Sequence, residues 1–332
     1  MSTIPRRSLL GAAAVAPAAL LGLSACSDDA AAGGTTLRVG ELGAVAVTQE
    51  LFKAAGLDQD LPYAIEWATF VNAGPEYIEA AGADAVDVGL TADTPLIFAA
   101  AGGIGLKAIA VSSPGDPAES DNAILAAPGS GIASLEDLKG RKVSFQEGTI
   151  TQYHTVKALE SVGLSLADIE PVNLPVTDAV NSLGNGDIDA IATLGIYWTQ
   201  AEAAGAEVIV TGSGLIPGNS LVSAREAAVA DPDLKAAIED YLDRLAQAQQ
   251  WREEHVDEWA EIYGGLTGLP TDLVAATEER AASVIGPLTA EVVSQQQDQS
   301  DVYASLGIIE AQDAADQFDP SFNGVFGAPT SL

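Results

Sequence analysis

Two short sets of polar and glycine residues stand directly before predicted helices, where they could bind a small anion. The sets are Thr91, Asp93 and Thr94, and then Gly148, Thr149 and Thr151. Hydroxyl groups and the free N–H groups of a helix's first turn suit an anion without any lysine or arginine. Thr91 and Asp93 could equally cap a helix and bind nothing. Paired across a cleft, the two sets predict a grip on the polar end of a ligand.

Further candidate contacts lie in loops that leave predicted strands, because ligands of open α/β sheets gather at the carboxyl ends of the strands. These residues are Leu42, Gly43, Asn72, Gln146, Tyr197 and Trp198. Tyr197 and Trp198 could form an aromatic wall or a cation–π face for the ligand. They could equally belong to the core between two lobes.

Patterns typical of catalysis or metal binding are missing from the sequence. Cys26 is the single cysteine, and His154 and His255 stand far apart without the spacing of a zinc helix. Gly103 and Gly105 lack the third glycine of a dinucleotide loop, and no P-loop follows a strand. We therefore expect no enzyme, no cofactor and no metal site.

The first residues read as an export signal. Arg6 and Arg7 form a basic stretch, and residues 8–25 are uncharged but too short and too rich in alanine and glycine to span a membrane comfortably. The stretch ends in Leu-Ser-Ala-Cys26, which resembles the lipobox of bacterial lipoproteins. We expect a signal peptide over 1–25, lipidation at Cys26, and a tether over 26–35 that holds the protein on the outer face of the cell membrane.

The arginine pair resembles a twin-arginine export signal, so the route is either that one or general secretion. An ordinary secretory signal with a chance cysteine is the alternative to lipidation.

The chain carries 47 acidic and 14 basic residues, a formal charge of −33. Such a charge repels phosphate backbones, so no nucleic acid is expected as a partner.

The elements that must position these residues alternate between strand and helix from about residue 36 to 211, which favours an α/β fold with largely parallel sheets. A proline- and glycine-rich cluster near 112–117 indicates a crossing between two lobes. We expect one lobe from 36–112 plus 214–332 and the other from 113–213. Past residue 225 the pattern turns helical, with predicted helices from 232, over 251–263, 271–284 and 290–306.

Three stretches of this sequence resemble the aliphatic sulfonate-, taurine- and nitrate-binding proteins of ABC importers. They are Phe-Val-Asn72-Ala-Gly-Pro, then Val-Asp-Val-Gly-Leu-Thr91-Ala-Asp93-Thr94-Pro, and Ser134 to Gly140 followed by Arg-Lys-Val. The resemblance implies a two-lobed type II periplasmic binding protein, a venus-flytrap fold, here with added C-terminal helices. It also implies a monomer that closes on a small molecule and docks on ABC permease subunits.

Departures from that family leave the ligand open. Gln146 and Glu147 stand where many relatives have lysine or asparagine, and an extra carboxylate would oppose a sulfonate unless it points away or pairs with a ligand amine. A sulfonate or taurine-like ligand is favoured, and a thiamin-pyrimidine or other heterocyclic precursor is the alternative. A desulfinase on the same fold depends on a catalytic cysteine, which this chain lacks outside Cys26.

Overall fold

The computed structural model describes residues 34–43, 45–71, 74–116 and 120–332. The predicted signal peptide, the lipidation site Cys26, most of the tether and Asn72 lie outside the described residues. Residues 35–332 form one compact unit. Within the described part, no helix combines the length and the apolar composition that crossing a membrane requires.

Strands and helices alternate through the first two thirds of this unit, as the sequence pattern predicts. The strands are β1 (Thr36–Leu42), β2 (Ala64–Phe70), β3 (Val88–Ala92), β4 (Leu106–Pro114), β5 (Asn122–Ala126), β6 (Lys142–Phe145), β7 (Glu170–Asn173), β8 (Ala190–Leu194), β9 (Glu207–Thr211), β10 (Ser220–Arg225) and β11 (Ser283–Gly286). The α-helices are α1 (Val47–Ala54), α2 (Gly74–Gly82), α3 (Asp93–Ala101), α4 (Ile150–Ser161), α5 (Val176–Asn185), α6 (Gly195–Ala203), α7 (Glu226–Ala230), α8 (Pro232–Glu254), α9 (Val256–Thr267), α10 (Thr271–Arg280) and α11 (Ala290–Ser305). Short 3₁₀ turns occur at Leu135–Leu138, Leu166–Asp168, Ala314–Gln317 and Pro320–Phe326.

The strands build two mixed sheets. The first has the order β11-β4-β10-β3-β1-β2, and the second has the order β7-β6-β8-β5-β9. In the first sheet, β10 runs antiparallel to both β3 and β4, and β11 runs antiparallel to β4. In the second, β5 runs antiparallel to β8 and β9. The sheets are therefore less uniformly parallel than the strand–helix alternation predicts.

The chain passes between the sheets twice, after β4 and after β9. Strands of the first sheet come from residues 36–114 and 220–286, and those of the second from residues 122–211. The limits of the two lobes given from the sequence stay a prediction.

Two predicted helices end differently in the structure. The helix predicted over 271–284 stops at Arg280, and residues from Ser283 form β11 against β4, because the open backbone groups of an edge strand outweigh a weak local helix preference. The helix predicted over 251–263 is broken at His255, which ends α8 and begins α9 with a non-helical φ of −131° and ψ of 42°.

Each sheet has its own apolar core. The first packs β1, β3, β4 and β10 against α1 and α8, with Tyr241, Trp259 and Phe322 fully buried there. The second sheet is covered on both faces, by α4 on one and by α5 and α6 on the other. A smaller cluster of Ile97, Ile150, Tyr153, Ile216 and Tyr303 joins elements of both sheets. This junction lies beside the predicted site.

The long helix α8 begins as the sequence predicts. The Asp231 side chain accepts hydrogen bonds from the backbone N–H of Asp233 (2.9 Å) and Leu234 (3.1 Å), and Pro232 is the first helical residue. We expect Asp231→Ala to lower the free energy of unfolding by about 1 kcal/mol, because two N–H groups lose their acceptor. Urea denaturation measures this. Asp243→Ala on the exposed face of α8 is the control, and an equal loss in that variant would contradict a capping role.

Candidate functional site

The start of α3 is buried, and the Asp93 carboxylate of the protein itself lies at its first turn. The Asp93 carboxylate accepts from the backbone N–H of Thr94 (2.7 Å) and from the side-chain amide of Gln299 (3.3 Å). The same amide donates to the Thr94 hydroxyl at 2.7 Å. Burial raises the pKa of Asp93 to about 6, although the hydrogen bonds from Gln299 and Thr94 oppose this rise. The donors assigned to a ligand at this helix therefore have a partner within the protein.

Thr91 lies two residues before Asp93, near the end of β3. Its side chain is buried, and its hydroxyl donates to the carbonyl of Leu221 on β10 at 3.4 Å. The hydroxyl is thus directed to the neighbouring strand. Ligand contacts by Thr91, Asp93 and Thr94 stay a prediction.

The start of α4 is a tight loop that is only partly buried. The Thr149 hydroxyl donates to the carbonyl of Gln146 (2.7 Å) and caps α4 by accepting from the N–H of Thr151 (3.3 Å). The Thr151 hydroxyl in turn accepts from the backbone N–H of Gln146 at 3.1 Å. Gly148 has a φ of +72°, a conformation that glycine adopts without strain. These contacts hold the loop in one shape and leave Gln146, Gly148 and Thr149 half-exposed.

Helix α11 joins these two helix starts. Gln299 contacts Asp93 and Thr94 at α3, as described above, and the Tyr303 hydroxyl donates to the carbonyl of Thr149 at 2.8 Å. Next to Gln299 on α11, Asp298 accepts from the Tyr153 hydroxyl of α4 at 2.6 Å. The structure thus brings together the two predicted sets of residues, with α11 between them.

Sequence reasoning missed Gln299 and Tyr303, because they lie about 150 to 200 positions from the residues they contact. The one available signal was a run of glutamines on a helix, Gln295, Gln296 and Gln297, that continues at Gln299. Amide side chains on a helix face that packs inside a protein need hydrogen-bond partners, so such a run indicates buried polar contacts.

The aromatic pair on α6 divides between core and surface. Trp198 is 5 % exposed and packs in the core of the second sheet, whereas Tyr197 is half-exposed. The Arg280 guanidinium on α10 lies 4.3 Å from the centre of the Trp198 ring. It also donates to the Thr199 hydroxyl. The cation–π partner of Trp198 is therefore a group of this chain, and sequence reasoning missed Arg280.

The remaining predicted contacts lie at the end of β1. Leu42 and Gly43 are half-exposed, and the N–H of Gly43 donates to the carbonyl of Phe70 at 2.9 Å. This bond continues the pairing of β1 with β2 and holds the loop against the first sheet. None of the hydrogen bonds of the described residues joins Leu42 or Gly43 to the α4 loop.

A sequence profile described as NMT1/THI5 like matches residues 44–214 of the chain. The chain belongs to this NMT1/THI5-like family. A curated relative, the putative aliphatic sulfonates-binding protein of Escherichia coli (strain K12), is 32% identical over 242 residues, which is 72% of this chain and 74% of the relative.

Solved structures agree with this membership. The periplasmic aliphatic sulphonate binding protein SsuA of Escherichia coli is 29% identical, with a TM-score of 0.76 over 85% of this chain and 91% of that chain. The alkanesulfonate-binding protein SsuA of Xanthomonas axonopodis pv. citri, bound to MOPS, is 26% identical, with a TM-score of 0.76 over 87% and 99%. The predicted periplasmic-binding-protein fold is confirmed.

This NMT1/THI5-like protein is a binding protein rather than an enzyme, as its relatives are. His154 is fully buried on α4, and burial lowers its pKa to about 4. The interaction with the Thr211 backbone raises the pKa, but by less than burial lowers it. The ring is therefore neutral at physiological pH. Across the described ranges, no group of three or more histidine, cysteine, aspartate or glutamate residues could hold a metal ion.

Proposed function

We propose that the protein is the extracytoplasmic solute-binding component of an ABC importer and captures an organic sulfonate. The observation that carries this proposal is the 32% identity to a sulfonate-binding relative over 72% of the chain. The relative from Xanthomonas axonopodis adds support, since its structure contains MOPS, which is itself a sulfonate. Binding closes the two lobes about their crossing segments, and the closed form docks on the permease subunits.

The sulfonate group binds at the start of α4 in this proposal. Asp93 places a carboxylate at the first turn of α3, so a second anion there would be repelled. The α4 loop carries the N–H groups of a helix start, and the bond from the Thr149 hydroxyl to the Gln146 carbonyl fixes its shape. The proposed contacts are Gln146, Gly148, Thr149 and Thr151. Glu147 is exposed at this loop, and its backbone N–H is bound to the side chain of Asn173 at 3.1 Å.

The other contacts complete the ligand's surroundings in the proposal. Leu42 and Gly43 approach from the first sheet, and Tyr197 offers the exposed part of the aromatic pair. Asn72, outside the described residues, is a further proposed contact. In this proposal the protein is a monomer. It is exported by residues 1–25 through the twin-arginine or general secretory route, and lipidation of Cys26 anchors it to the outer face of the cell membrane.

Replacing Thr149 in the α4 loop tests whether this loop binds a sulfonate. We expect Thr149→Ala to weaken alkanesulfonate binding by about 10-fold to 100-fold, because the hydroxyl that ties the loop to the Gln146 carbonyl is lost and the N–H groups of the helix start are no longer held in place for a charged group. Thr149→Ser keeps the hydroxyl and should bind as the unchanged protein does. Isothermal titration calorimetry with alkanesulfonates, 2-aminoethanesulfonate and a thiamin-type pyrimidine measures each affinity.

Thr289→Ala is the matched control for loss of a helix cap. Thr289 caps α11 by accepting from the N–H of Val292 at 3.3 Å, far along the chain from the α4 loop. If Thr149→Ala and Thr289→Ala weaken binding equally, Thr149 acts through helix stability only. If the pyrimidine binds and no sulfonate does, the sulfonate function is refuted.

A further inference from the structure

Helix α10 is fixed to the first sheet. Its Glu278 pairs at 3.3 Å with Arg252 of α8, the long helix that packs in the core of that sheet. Strand β11 follows α10 after two residues and pairs with β4 of the same sheet. Any movement of the first sheet therefore carries α10 with it.

The same helix also contacts α6, which covers one face of the second sheet. The Thr277 and Thr199 hydroxyl groups lie 2.8 Å apart. The Arg280 guanidinium lies 4.3 Å from the centre of the Trp198 ring and donates to the Thr199 hydroxyl. Its distance to the Glu202 carboxylate is 3.8 Å. We call these groups the α6–α10 contact, and they attach the second sheet to the first outside the two crossing segments.

Helix α11 makes a second contact of this kind, with α4 on the opposite face of the second sheet. The Tyr303 hydroxyl donates to Thr149, and Asp298 accepts from the Tyr153 hydroxyl and pairs with the Lys157 ammonium at 3.1 Å. We call these groups the α4–α11 contact. The Asp298 side chain is 53 % exposed, so water can replace the lysine at little cost in free energy.

The start of α4 is covered from the side of the first sheet. Ile150 and Thr151, which begin the helix, are both buried. A β-carbon at Gly148 would lie 3.5 Å from the ring of Phe98 on α3, and that ring packs against Tyr303 with 5.2 Å between the ring centres. A solute that binds the first N–H groups of α4 must therefore separate α4 from α3 and α11. The α6–α10 contact lies on the other face of the sheet and can stay closed meanwhile.

We propose that the second sheet turns about the α6–α10 contact as well as the crossing segments, and that the α4–α11 contact opens to admit the solute. The identity of the solute rests on the proposed function, whereas the pivot and the opening contact rest on the helix contacts alone. This arrangement gives the movement a direction: the second sheet swings away from α11 and stays attached to α10.

Cross-linking tests each contact, because Cys26 is the single cysteine of the chain and Cys26→Ser gives a background without thiols. Thr199→Cys with Thr277→Cys replaces two hydroxyl groups 2.8 Å apart, so oxidation should join the pair directly. Lys157→Cys with Asp298→Cys is joined by a short bis-methanethiosulfonate reagent that replaces the length of the lysine side chain. A reductant reverses both links, so each reduced protein is the control for its linked form.

The linked proteins should differ in how fast they bind alkanesulfonates, from ethanesulfonate to octanesulfonate, in stopped-flow tryptophan fluorescence. We expect the link between positions 199 and 277 to leave the association rate within about 2-fold of the reduced protein, because the pivot stays closed in every state. The link between positions 157 and 298 should slow association at least about 100-fold, because the solute has no way in.

Thiol labelling tests the same movement without any solute. Ile150→Cys and Thr277→Cys, each made alone in the Cys26→Ser protein, place a thiol at positions that are 6 % and 7 % exposed. Each labelling rate is divided by that of the same variant unfolded in urea, which removes differences in thiol reactivity. We expect the Ile150→Cys thiol to react at least about 10-fold faster than the Thr277→Cys thiol, since global unfolding exposes both and local opening exposes the first alone.

The outcomes separate this inference from the proposed function. Slow association with the 199–277 link, or equal normalised labelling of the two thiols, would overturn the pivot. Unchanged association with the 157–298 link would overturn the opening of the α4–α11 contact. If no sulfonate binds any reduced protein, the proposed function fails, and the labelling ratio alone decides the movement. The ratio also decides it if a cysteine pair fails to fold or to cross-link.

Discussion

Replacing Asp87 by asparagine is expected to lower the free energy of unfolding by about 3–5 kcal/mol, because it removes the buried charge that two arginines share. The Asp87 side chain is 1 % exposed. Its oxygens accept from the Arg38 guanidinium at 2.6 and 2.9 Å and from the Arg225 guanidinium at 2.9 Å. Neither arginine can regain full hydration once the carboxylate is gone.

The pH dependence of stability provides a second measure of this cluster. Burial raises the pKa of Asp87, but the hydrogen bonds from Arg38 and Arg225 outweigh it and hold the pKa below its ordinary value. The contribution of Asp87 is therefore present at neutral pH and is lost as the pH falls through that lowered pKa. Urea denaturation at pH 7 and at several acid pH values should show the difference between the two proteins shrinking in acid.

Asp84→Asn is the matched control. Asp84 also contacts Arg225, but its side chain is 80 % exposed, so its loss should change the free energy of unfolding by about 0.5 kcal/mol or less. A similar large loss in both variants would mean that Arg225 needs any nearby carboxylate, and that burial of Asp87 is unimportant.

Phe322→Ala is expected to destabilise the protein by about 3–5 kcal/mol, because it opens a cavity in the core of the first sheet. Phe322 is 1 % exposed, although only ten residues follow it in the sequence. Its ring packs in the cluster with α8, and the Lys235 ammonium lies 4.6 Å from its centre. Calorimetric melting should show a drop of several degrees.

The nearby Phe326→Ala tests whether burial sets this effect. Phe326 belongs to the same 3₁₀ turn but is only half-buried, so its replacement should cost clearly less. Equal losses would indicate that the turn as a whole, rather than the Phe322 ring, ties this segment to the core.

Local patterns in the sequence predicted most of the α/β part of the fold. The alternation in residues 36–211 located β1, β2 and β6 at or near their observed bounds, and Asp231 with Pro232 located the start of α8. Strands β10 and β11 were missed, because their partners β3 and β4 lie far away in the chain. Strand β11 also follows α10 closely, so the helical pattern of residues 271–284 covers its first residues in the sequence.

The site was predictable only in part, for a related reason. Helix starts follow from short motifs, so the sequence identifies Thr149 and Thr94. Thr94 and Thr149 contact Gln299 and Tyr303 of α11, and these partners lie too far away in the chain for a short motif to identify them. The same holds for Arg280 of α10, which contacts Trp198.

The contacts of helix α11 have a consequence for how tightly a solute is held. Its contacts with α3 and α4, through Gln299 and Tyr303, consist of protein groups alone, so they favour one arrangement of the two helix starts with no solute's help. The apparent dissociation constant then equals the intrinsic one divided by the fraction of molecules already in that arrangement. Changes at Gln299 or Tyr303 would therefore alter affinity without altering any atom that touches the solute.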